Sequence, residues 1–350
     1  MIDWNNRWRG FLIGQGAVVG AEGVRHFAES DSHAQSRLAA SGDIIADLSH
    51  LALIRAQGEE AAPFLQGQLS NDIRQVDVEH GQLSACCNPN GRMLAILRIF
   101  MRADAYYLQL PAALQPATLN HLKMFVLRAK LTLDGADQDL IRIGLSGPNA
   151  ARLLSAMIPA VPAHIDESSQ HEGVTVLRLA GPHPRFELIA GLDAAMRLWS
   201  LLAAQATAAG ASAWSWLDIA AGIPTVLPGT TDAFIPQMVN LDWLGGVSFQ
   251  KGCYPGQEIV ARVHHLGRVK QRLYLAHVDD AVPPVVGGSI HGARPDQAAG
   301  RVVEAQPAPG GGYDLTMVVD LDQRQTPLHL GTSQGPRLTL QKPPYSPVVS

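Results

Sequence analysis

Cysteine is scarce in this sequence, and its placement excludes two classes of protein. Only three of the 350 residues are cysteine, namely Cys86, Cys87 and Cys253. No Cys-x-x-Cys pair occurs, and three thiols cannot hold a four-cysteine iron–sulfur cluster permanently. They do not form a disulfide framework either, so we expect the protein to work in a reducing cytoplasm.

The sequence also lacks an excess of basic residues and any long apolar run. The formal net charge is −4 and the isoelectric point is near 6.3. A surface that binds nucleic acid tightly, or an anionic membrane, needs clustered positive charge, so neither partner is expected. No stretch approaches the roughly 20 apolar residues of a membrane span, so we expect a soluble protein.

Two common motifs for catalysis and nucleotide binding are missing as well. The glycines at 310–312 are not followed by the lysine and helix of a phosphate-binding loop, so a nucleotide cofactor is not indicated. No Gly-x-Ser-x-Gly nucleophile elbow occurs.

A diverged internal repeat is the main architectural signal. The pattern Gly58-x-x-Ala-Ala-x-Phe-Leu returns as Gly147-x-x-Ala-Ala-x-Leu-Leu. A strand-like run precedes each glycine, at 51–56 and at 140–145. Each copy therefore predicts a strand, a glycine turn and a helix, and the two copies predict two related α+β halves. Chance similarity between alanine-rich helices is the alternative.

Further elements follow in each half. Strand-like runs at 105–110 and 186–190 each lead into a helical pattern. The first predicted helix ends near Val126, and the second buries an apolar stripe at three- and four-residue spacing. The members of that stripe are Leu192, Ala195, Met196, Trp199 and Leu202.

The last 80 residues have a different pattern. After about residue 267, short β-like runs alternate with glycine and proline turns, which predicts a small antiparallel β-barrel or sandwich. A hydrophobic content of 47% in 350 residues supports two or three domains. We therefore predict a first α+β subdomain at 1–140, a second at 141–266 and a C-terminal β-barrel at 267–350.

The octet Lys-Gly-Cys-Tyr-Pro-Gly-Gln-Glu, residues 251–258, is the strongest chemical signal. It predicts a tight turn and a helix that starts near Gly256. The helix N-terminus and Lys251 would favour the thiolate form of Cys253, which could act as a nucleophile, a redox thiol or a metal ligand together with His264 or His265. The alternative is an unreactive, structural cysteine that is buried under a turn. Cys86 and Cys87, beside a predicted strand, are expected to be packing residues.

The octet also carries a resemblance to a known family. Together with Phe234-Ile235-Pro236-Gln237 and the run at 245–249, it resembles the signature of the YgfZ family. Weaker matches lie in the first half, at 64–68 and 90–93. The resemblance implies folate-binding proteins related to the glycine-cleavage T protein and linked to iron–sulfur cluster assembly or repair and to tRNA modification. It also implies two α+β subdomains of the aminomethyltransferase folate-binding type, followed by a β-barrel.

The resemblance implies candidate folate contacts. Trp214 stands where the family places an aromatic near the pterin or benzoyl group, with core packing as the alternative. Gln257 matches a position that carries a folate-contacting arginine in the T proteins, and Tyr254 adds an aromatic. The remaining candidates are the cations Arg128, Lys130, Lys251 and Arg262, which could meet the carboxylates of folate or could be ordinary charges.

Two departures from the T proteins bear on the activity. Ala95 and Ala220 stand where the resemblance places an aspartate for aminomethyl transfer and a glutamate that grips the pterin. A methyl group can neither transfer a proton nor accept a hydrogen bond, so a classical aminomethyltransferase is not expected.

We therefore predict a cytoplasmic, monomeric, tetrahydrofolate-binding protein that assists iron–sulfur cluster assembly or repair in client enzymes, including those that modify tRNA. Cys253 is its predicted functional thiol, and its predicted partners are folate and iron–sulfur clients or assembly proteins. A folate-dependent one-carbon transferase and a scaffold with vestigial folate binding are the two alternatives.

Overall fold

The structure is a computed structural model that describes residues 4–20, 23–27, 31–294 and 297–346. The chain divides into two compact units that are interleaved along the sequence. Unit 1 comprises Met1–Ala61, Gln75–Gly81 and Ile99–Leu217, and unit 2 comprises Ala62–Arg74, Gln82–Arg98 and Asp218–Ser350. The domains predicted from the sequence are instead three consecutive segments with boundaries after residues 140 and 266, and these boundaries stay predictions.

Helices and strands alternate through most of the described residues. The helices are α1 (Trp4–Gly14), α2 (Ser32–Ser41), α3 (Ala61–Gln68), α4 (Gln115–Lys123), α5 (Ala150–Ser155), α6 (Leu192–Leu202), α7 (Ala211–Ala221) and α8 (Gln257–His265). The strands up to residue 135 are β1 (Ala17–Gly20), β2 (Gly23–Phe27), β3 (Ile44–Asp47), β4 (Leu51–Gln57), β5 (Gln82–Cys87), β6 (Met93–Arg102), β7 (Ala105–Pro111) and β8 (Thr132–Gly135). Those that follow are β9 (Ile141–Ser146), β10 (Ser168–His171), β11 (Val174–Leu179), β12 (Arg185–Ala190), β13 (Thr207–Ala209), β14 (Gln271–Val278), β15 (Ser289–His291), β16 (Ala298–Pro307), β17 (Tyr313–Asp320), β18 (Leu328–Leu330) and β19 (Arg337–Gln341).

Unit 1 is built around a six-stranded sheet with the order β10-β11-β12-β9-β3-β13. The β13–β3 pair is parallel, and the other pairs in this order are antiparallel. The helix α6 packs on this sheet with the predicted stripe: Leu192, Ala195, Trp199 and Leu202 are buried and Met196 is half-buried. The Trp199 ring meets Trp8 of α1 edge-on and stacks on Phe27 of β2, at centroid distances of 5.6 and 5.5 Å, so α1 and β2 are held to this core by aromatic contacts.

The predicted repeat is present in the structure. The strand β4 runs through Gly58 into α3, and β9 runs through Gly147 into α5. Both glycines have a positive φ, 132° and 148°, which explains why glycine recurs at these turns. The strand β4 pairs antiparallel with β7, and β9 pairs antiparallel with β12 in the same way. The two α+β copies predicted from the sequence are therefore confirmed.

One predicted helix end is displaced. The helix α4 ends at Lys123 rather than near Val126, and a turn follows it. In that turn Leu127 has a φ of 45°, a conformation that an α-helix cannot contain. Val126, the predicted end, is consequently outside the helix, and Leu127 is 89% exposed.

Unit 2 contains α8 and a closed antiparallel barrel. The strand order around the barrel is β14-β17-β16-β15-β18-β19, and its interior is filled by apolar side chains such as Ile290, Val302 and Met317. The predicted C-terminal barrel is thus confirmed, and its first strand begins at Gln271. Across the residues that the structure describes, no helix combines the length and the apolar character that a membrane crossing requires.

Candidate functional site

The loop that carries Cys253 alternates between buried and exposed residues. Lys251 and Tyr254 are buried, whereas Gly252 and Cys253 are exposed. The helix α8 begins directly after this loop, at Gln257, with Gly256 as its N-cap residue. The predicted helix start is confirmed, and the alternative of a buried cysteine under a turn is wrong. The thiol of Cys253 is open to a partner from outside.

The side chain of Lys251 anchors this loop. Its Nζ donates hydrogen bonds to the carbonyl oxygens of Gln66, Leu69 and Asn71, at 2.6, 2.5 and 3.2 Å. These carbonyls lie at and just after the C-terminal end of α3, where backbone oxygens have no partner within the helix and a cation is favourable. Burial lowers the pKa of Lys251 to about 8, so that the ammonium form is retained at neutral pH.

The position of this ammonium group changes its expected role. Its three hydrogens are directed at three carbonyls, so Lys251 closes the end of α3 and joins that helix to the Cys253 loop. The Nζ also lies 5.1 Å from the centre of the Tyr254 ring, a cation–π contact. Burial raises the pKa of Tyr254, so its phenol stays neutral. Direct folate contacts of these two residues, and help from Lys251 to the thiolate, stay predictions.

A second set of hydrogen bonds holds the chain just before the loop. The Asn71 side chain donates to the carbonyls of Leu83 and Gly245 at 2.9 and 2.7 Å, and the Ser70 hydroxyl donates to Gly246 at 2.7 Å. Ser70 and Asn71 therefore hold the chain at Gly245 and Gly246, before the loop, and Lys251 holds the loop itself. The exposed thiol therefore follows directly after a segment that is held at Gly245, Gly246 and Lys251.

Asp72 forms an ion pair with Arg74 near Lys251. A bidentate ion pair with Arg74, with Nη2 to Oδ2 at 2.6 Å, is the main reason that the pKa of Asp72 falls to about 2. Asp72 is therefore ionised at neutral pH, and its negative charge favours the ammonium form of Lys251.

The other predicted cations and Gln257 are placed as follows. The Gln257 amide is half-buried and donates to the Lys251 carbonyl at 3.5 Å, and Arg262 is exposed in the last turn of α8. Arg128 and Lys130 belong to unit 1 and are exposed, with the Lys130 Nζ 3.4 Å from a Glu59 carboxylate oxygen. A role for any of them in folate binding stays a prediction.

Trp214 is 1% exposed, and its surroundings are polar on one side. The Arg185 guanidinium lies 4.0 Å from the centre of the Trp214 ring and donates to the Trp214 carbonyl at 3.0 Å. The ring covers Gly144, where any β-carbon would stand 2.4 Å from a ring atom. Glycine in β9 thus makes room for this indole on the sheet.

A buried carboxylate, which was not predicted from the sequence, lies beside Trp214. Glu187 is 0% exposed and lies opposite Gly144 in the pairing of β12 with β9. Side chains two residues apart in a strand share a face, so Glu187 is on the same face as Arg185 and hence on the side of Trp214. Its carboxylate accepts a hydrogen bond from the amide of Gln109, a buried residue of β7. We call Gln109, Arg185, Glu187 and Trp214 the buried polar cluster. The one sequence signal for this cluster was the presence of a glutamate, Glu187, inside an apolar strand.

The remaining cysteines are packing residues, as predicted. Cys86 and Cys87 are almost wholly buried in β5, and burial raises the pKa of Cys86 to about 12 and that of Cys87 further. Both thiols are therefore unreactive in the folded protein. Within the described ranges, no three His, Cys, Asp or Glu side chains come together as a possible metal site.

Comparison with known proteins defines the class. The family model of the GCVT N-terminal domain matches residues 18–248. The crystal structure of glycine cleavage system aminomethyltransferase T from Bartonella henselae superimposes with a TM-score of 0.77 at 18% identity, over 95% of this chain and 94% of that one. The chain therefore has the aminomethyltransferase fold with a C-terminal barrel.

Curated relatives narrow this class. The tRNA-modifying protein YgfZ of Edwardsiella ictaluri is 31% identical over 84% of this chain and 89% of its own length. The protein of the same name from Photorhabdus laumondii is 31% identical over 84% and 90%, and that of an Enterobacter species is 34% identical over 67% and 72%. The chain belongs to the YgfZ family.

Proposed function

We propose that this protein binds a tetrahydrofolate species and assists the assembly or repair of iron–sulfur clusters in client enzymes, with Cys253 as the functional thiol. The observation that carries the proposal is the exposed thiol on a loop fixed by the buried Lys251. Relatives named tRNA-modifying protein support clients that modify tRNA. We further propose that the protein works as a cytoplasmic monomer.

The chemistry of Cys253 follows from its exposure. On meeting iron, the thiol gives its proton to water and its sulfur donates an electron pair to the metal. When a client cysteine takes over the iron, the Fe–S bond to Cys253 breaks and the thiol regains a proton. Neither step changes the oxidation state of sulfur. The fixed loop lowers the conformational entropy that is lost when the thiol meets its partner.

The buried polar cluster is suited to a pterin. A pterin needs an apolar or aromatic surface and an acceptor for the N–H groups of its amide-like edge. Trp214 and Glu187 are buried in this structure, so binding a pterin here requires the cluster to open. Trp214 would then supply the apolar surface and the carboxylate of Glu187 the acceptor, while Gln109 holds that carboxylate in position. The exposed cations Arg128 and Lys130 suit the carboxylates of the glutamate tail. These residues would bind and orient the folate.

Aminomethyl transfer is not part of the proposal. Ala95 is fully buried in β6 and Ala220 is half-buried in α7, and each presents only a methyl group where the resemblance to the T proteins places a carboxylate. Nothing at these two positions can take up or hand on a proton.

Folate binding is tested by replacing Glu187 with glutamine, which preserves the size of the side chain. We expect the Kd of tetrahydrofolate, measured by isothermal titration calorimetry, to rise by about 10- to 100-fold, because a charged acceptor of buried N–H groups contributes about 1.5–3 kcal/mol. Glu172→Gln, at an exposed turn, is the control and should leave the Kd unchanged. A wild-type protein with no saturable heat would instead establish the vestigial scaffold.

The thiol is tested by Cys253→Ala and Cys253→Ser in cells that lack this protein. Both variants should fail to restore the iron–sulfur-dependent tRNA modifications, measured by mass spectrometry of nucleosides, because neither side chain can bind iron as a thiolate. Their melting temperatures should match the wild type, since exposed substitutions usually change stability by less than about 0.5 kcal/mol. Full restoration by the alanine variant would refute the role of Cys253.

A further inference from the structure

The end of α8 carries an unusual concentration of positive charge for a chain of net charge −4. No carboxylate occurs from residue 259 to residue 270. Within this stretch five basic side chains are exposed, namely Arg262, His264, His265, Arg268 and Lys270. We call these five residues the basic end of α8. None of its arginines or its lysine forms an ion pair with a carboxylate in the part of the chain that the structure describes.

Two barrel carboxylates that flank Leu321 have other partners. The Lys270 carbonyl accepts from the Leu321 backbone at 2.9 Å, which brings the neighbours of Leu321 close. Of these, Asp320 accepts from the Gln271 amide at 2.8 Å, and Asp322 pairs with Arg294 at 2.5 Å. Among the described residues no carboxylate forms an ion pair with Arg262, Arg268 or Lys270, so these cations can meet an outside anion. Three full charges also outweigh the roughly half negative charge of the helix C-terminus.

Aromatic rings lie among these charges. The His264 ring is stacked on Phe249, with centroids 3.7 Å apart and planes 13° apart. His265 stands 4.7 Å from His264 and 6.3 Å from Phe249. These distances place His265 beside the His264 ring and not over its outer face. Because His264 is exposed, that outer face is open, and Phe249 supports the ring from behind.

We infer that the basic end of α8 binds a single-stranded segment of RNA, with a base stacked on His264 and phosphates at Arg262, Arg268 and Lys270. An acidic protein surface would also suit the cations, but it does not account for the exposed face of the His264 ring, which Phe249 supports from behind. Unpaired bases stack on aromatic and histidine rings in just this way, and cations track the backbone. Although Arg262 is also a predicted folate contact, the inference does not depend on the proposed folate and thiol functions.

The small number of cations limits the affinity. Three phosphate contacts on a single strand give a slope of about −2 in a plot of log K against log salt concentration. Binding should therefore be weak and salt-dependent, with a Kd in the range of about 1–100 µM. This agrees with the absence of a general basic surface, which excludes tight binding.

The test is fluorescence anisotropy of a labelled 12-nucleotide single-stranded RNA of mixed sequence, titrated with the full chain. We expect the affinity to fall about 80-fold between about 25 and 200 mM salt. In the double variant Arg268→Gln, Lys270→Gln the slope should drop to about −0.7. His264→Ala should weaken binding about tenfold at every salt concentration without changing the slope, because it removes stacking and not charge.

Controls separate this surface from general charge effects. Arg152→Gln removes an exposed cation of unit 1 and should leave both affinity and slope unchanged. A blunt-ended duplex of the same sequence should bind more weakly, because its bases are not available for stacking. The inference is overturned if no saturable change occurs at about 100 µM protein in low salt. It is equally overturned if His264→Ala binds normally while an oligo-glutamate peptide competes fully, since the surface would then be one for acidic proteins.

Discussion

Replacing Lys251 with methionine is expected to lower the free energy of unfolding by about 3 kcal/mol, although it removes a buried charge. Burial lowers the pKa of Lys251 from 10.5 to about 8, so the charge is disfavoured by about 3 kcal/mol, which methionine would recover. The substitution also leaves the carbonyls of Gln66, Leu69 and Asn71 without their donor. At about 1–3 kcal/mol for each buried carbonyl, the loss of three hydrogen bonds outweighs the gain from removing the charge.

Urea unfolding at pH 7 measures the effect of Lys251→Met. Lys342→Met is the matched control, because Lys342 is exposed, and it should change the free energy of unfolding by less than about 0.5 kcal/mol. If Lys251→Met were as stable as the wild type, the three hydrogen bonds would not be what holds the loop to α3. A more stable variant would mean that the cost of burying the charge dominates.

Replacing Gly256 with alanine should destabilise the protein by about 3 kcal/mol or more, combining backbone strain with a steric clash. Gly256 has a φ of 80°, and a β-carbon there would stand 2.5 Å from the Asn88 carbonyl oxygen and from the Gly91 Cα. Both contacts are to backbone, which cannot rotate away as a side chain can. Relief would require the start of α8 and the turn at 88–91 to separate, which would also displace Cys253.

Gly245 offers a matched control for this substitution. Its φ is 71°, close to that of Gly256, but a β-carbon there would meet nothing within 4 Å. Gly245→Ala should therefore cost only the conformational strain of about 1–2 kcal/mol. The difference in unfolding free energy between the two variants, measured in urea, isolates the clash. Equal losses would show that the turn at 88–91 yields without cost.

The architecture was predictable because it is encoded locally. The glycine at each strand-to-helix turn, Gly58 and Gly147, and the apolar spacing of α6 need only neighbours in the sequence to be recognised. The end of α4 was misjudged because the apolar pattern continues to Val126, whereas the backbone at Leu127 leaves the helical region. An apolar period indicates burial, and Val126 is half-buried although it lies beyond the last helical turn.

The candidate site was only partly predictable, because its interactions join distant residues. The octet indicated Cys253 and the start of α8, but the residues that Lys251 contacts lie more than 170 positions earlier in the chain. Glu187 lies in a strand that the sequence pattern predicts correctly. Its location beside Trp214, however, depends on the pairing of Glu187 with Gly144 and on the position of Trp214. No local pattern contains this information.

The distance between Lys251 and α3 along the chain also has a consequence for biosynthesis. The carbonyl of Leu69 leaves the ribosome 182 residues before the lysine that will bind it. At about 5–20 residues per second, this gap lasts about 10–40 s. During that interval the end of α3 must rely on water for its hydrogen bonds, and the strand with Cys86 and Cys87 lacks most of its unit. We therefore expect the nascent chain to expose this apolar strand, and so to be most prone to aggregation, until the last third of the protein is synthesised.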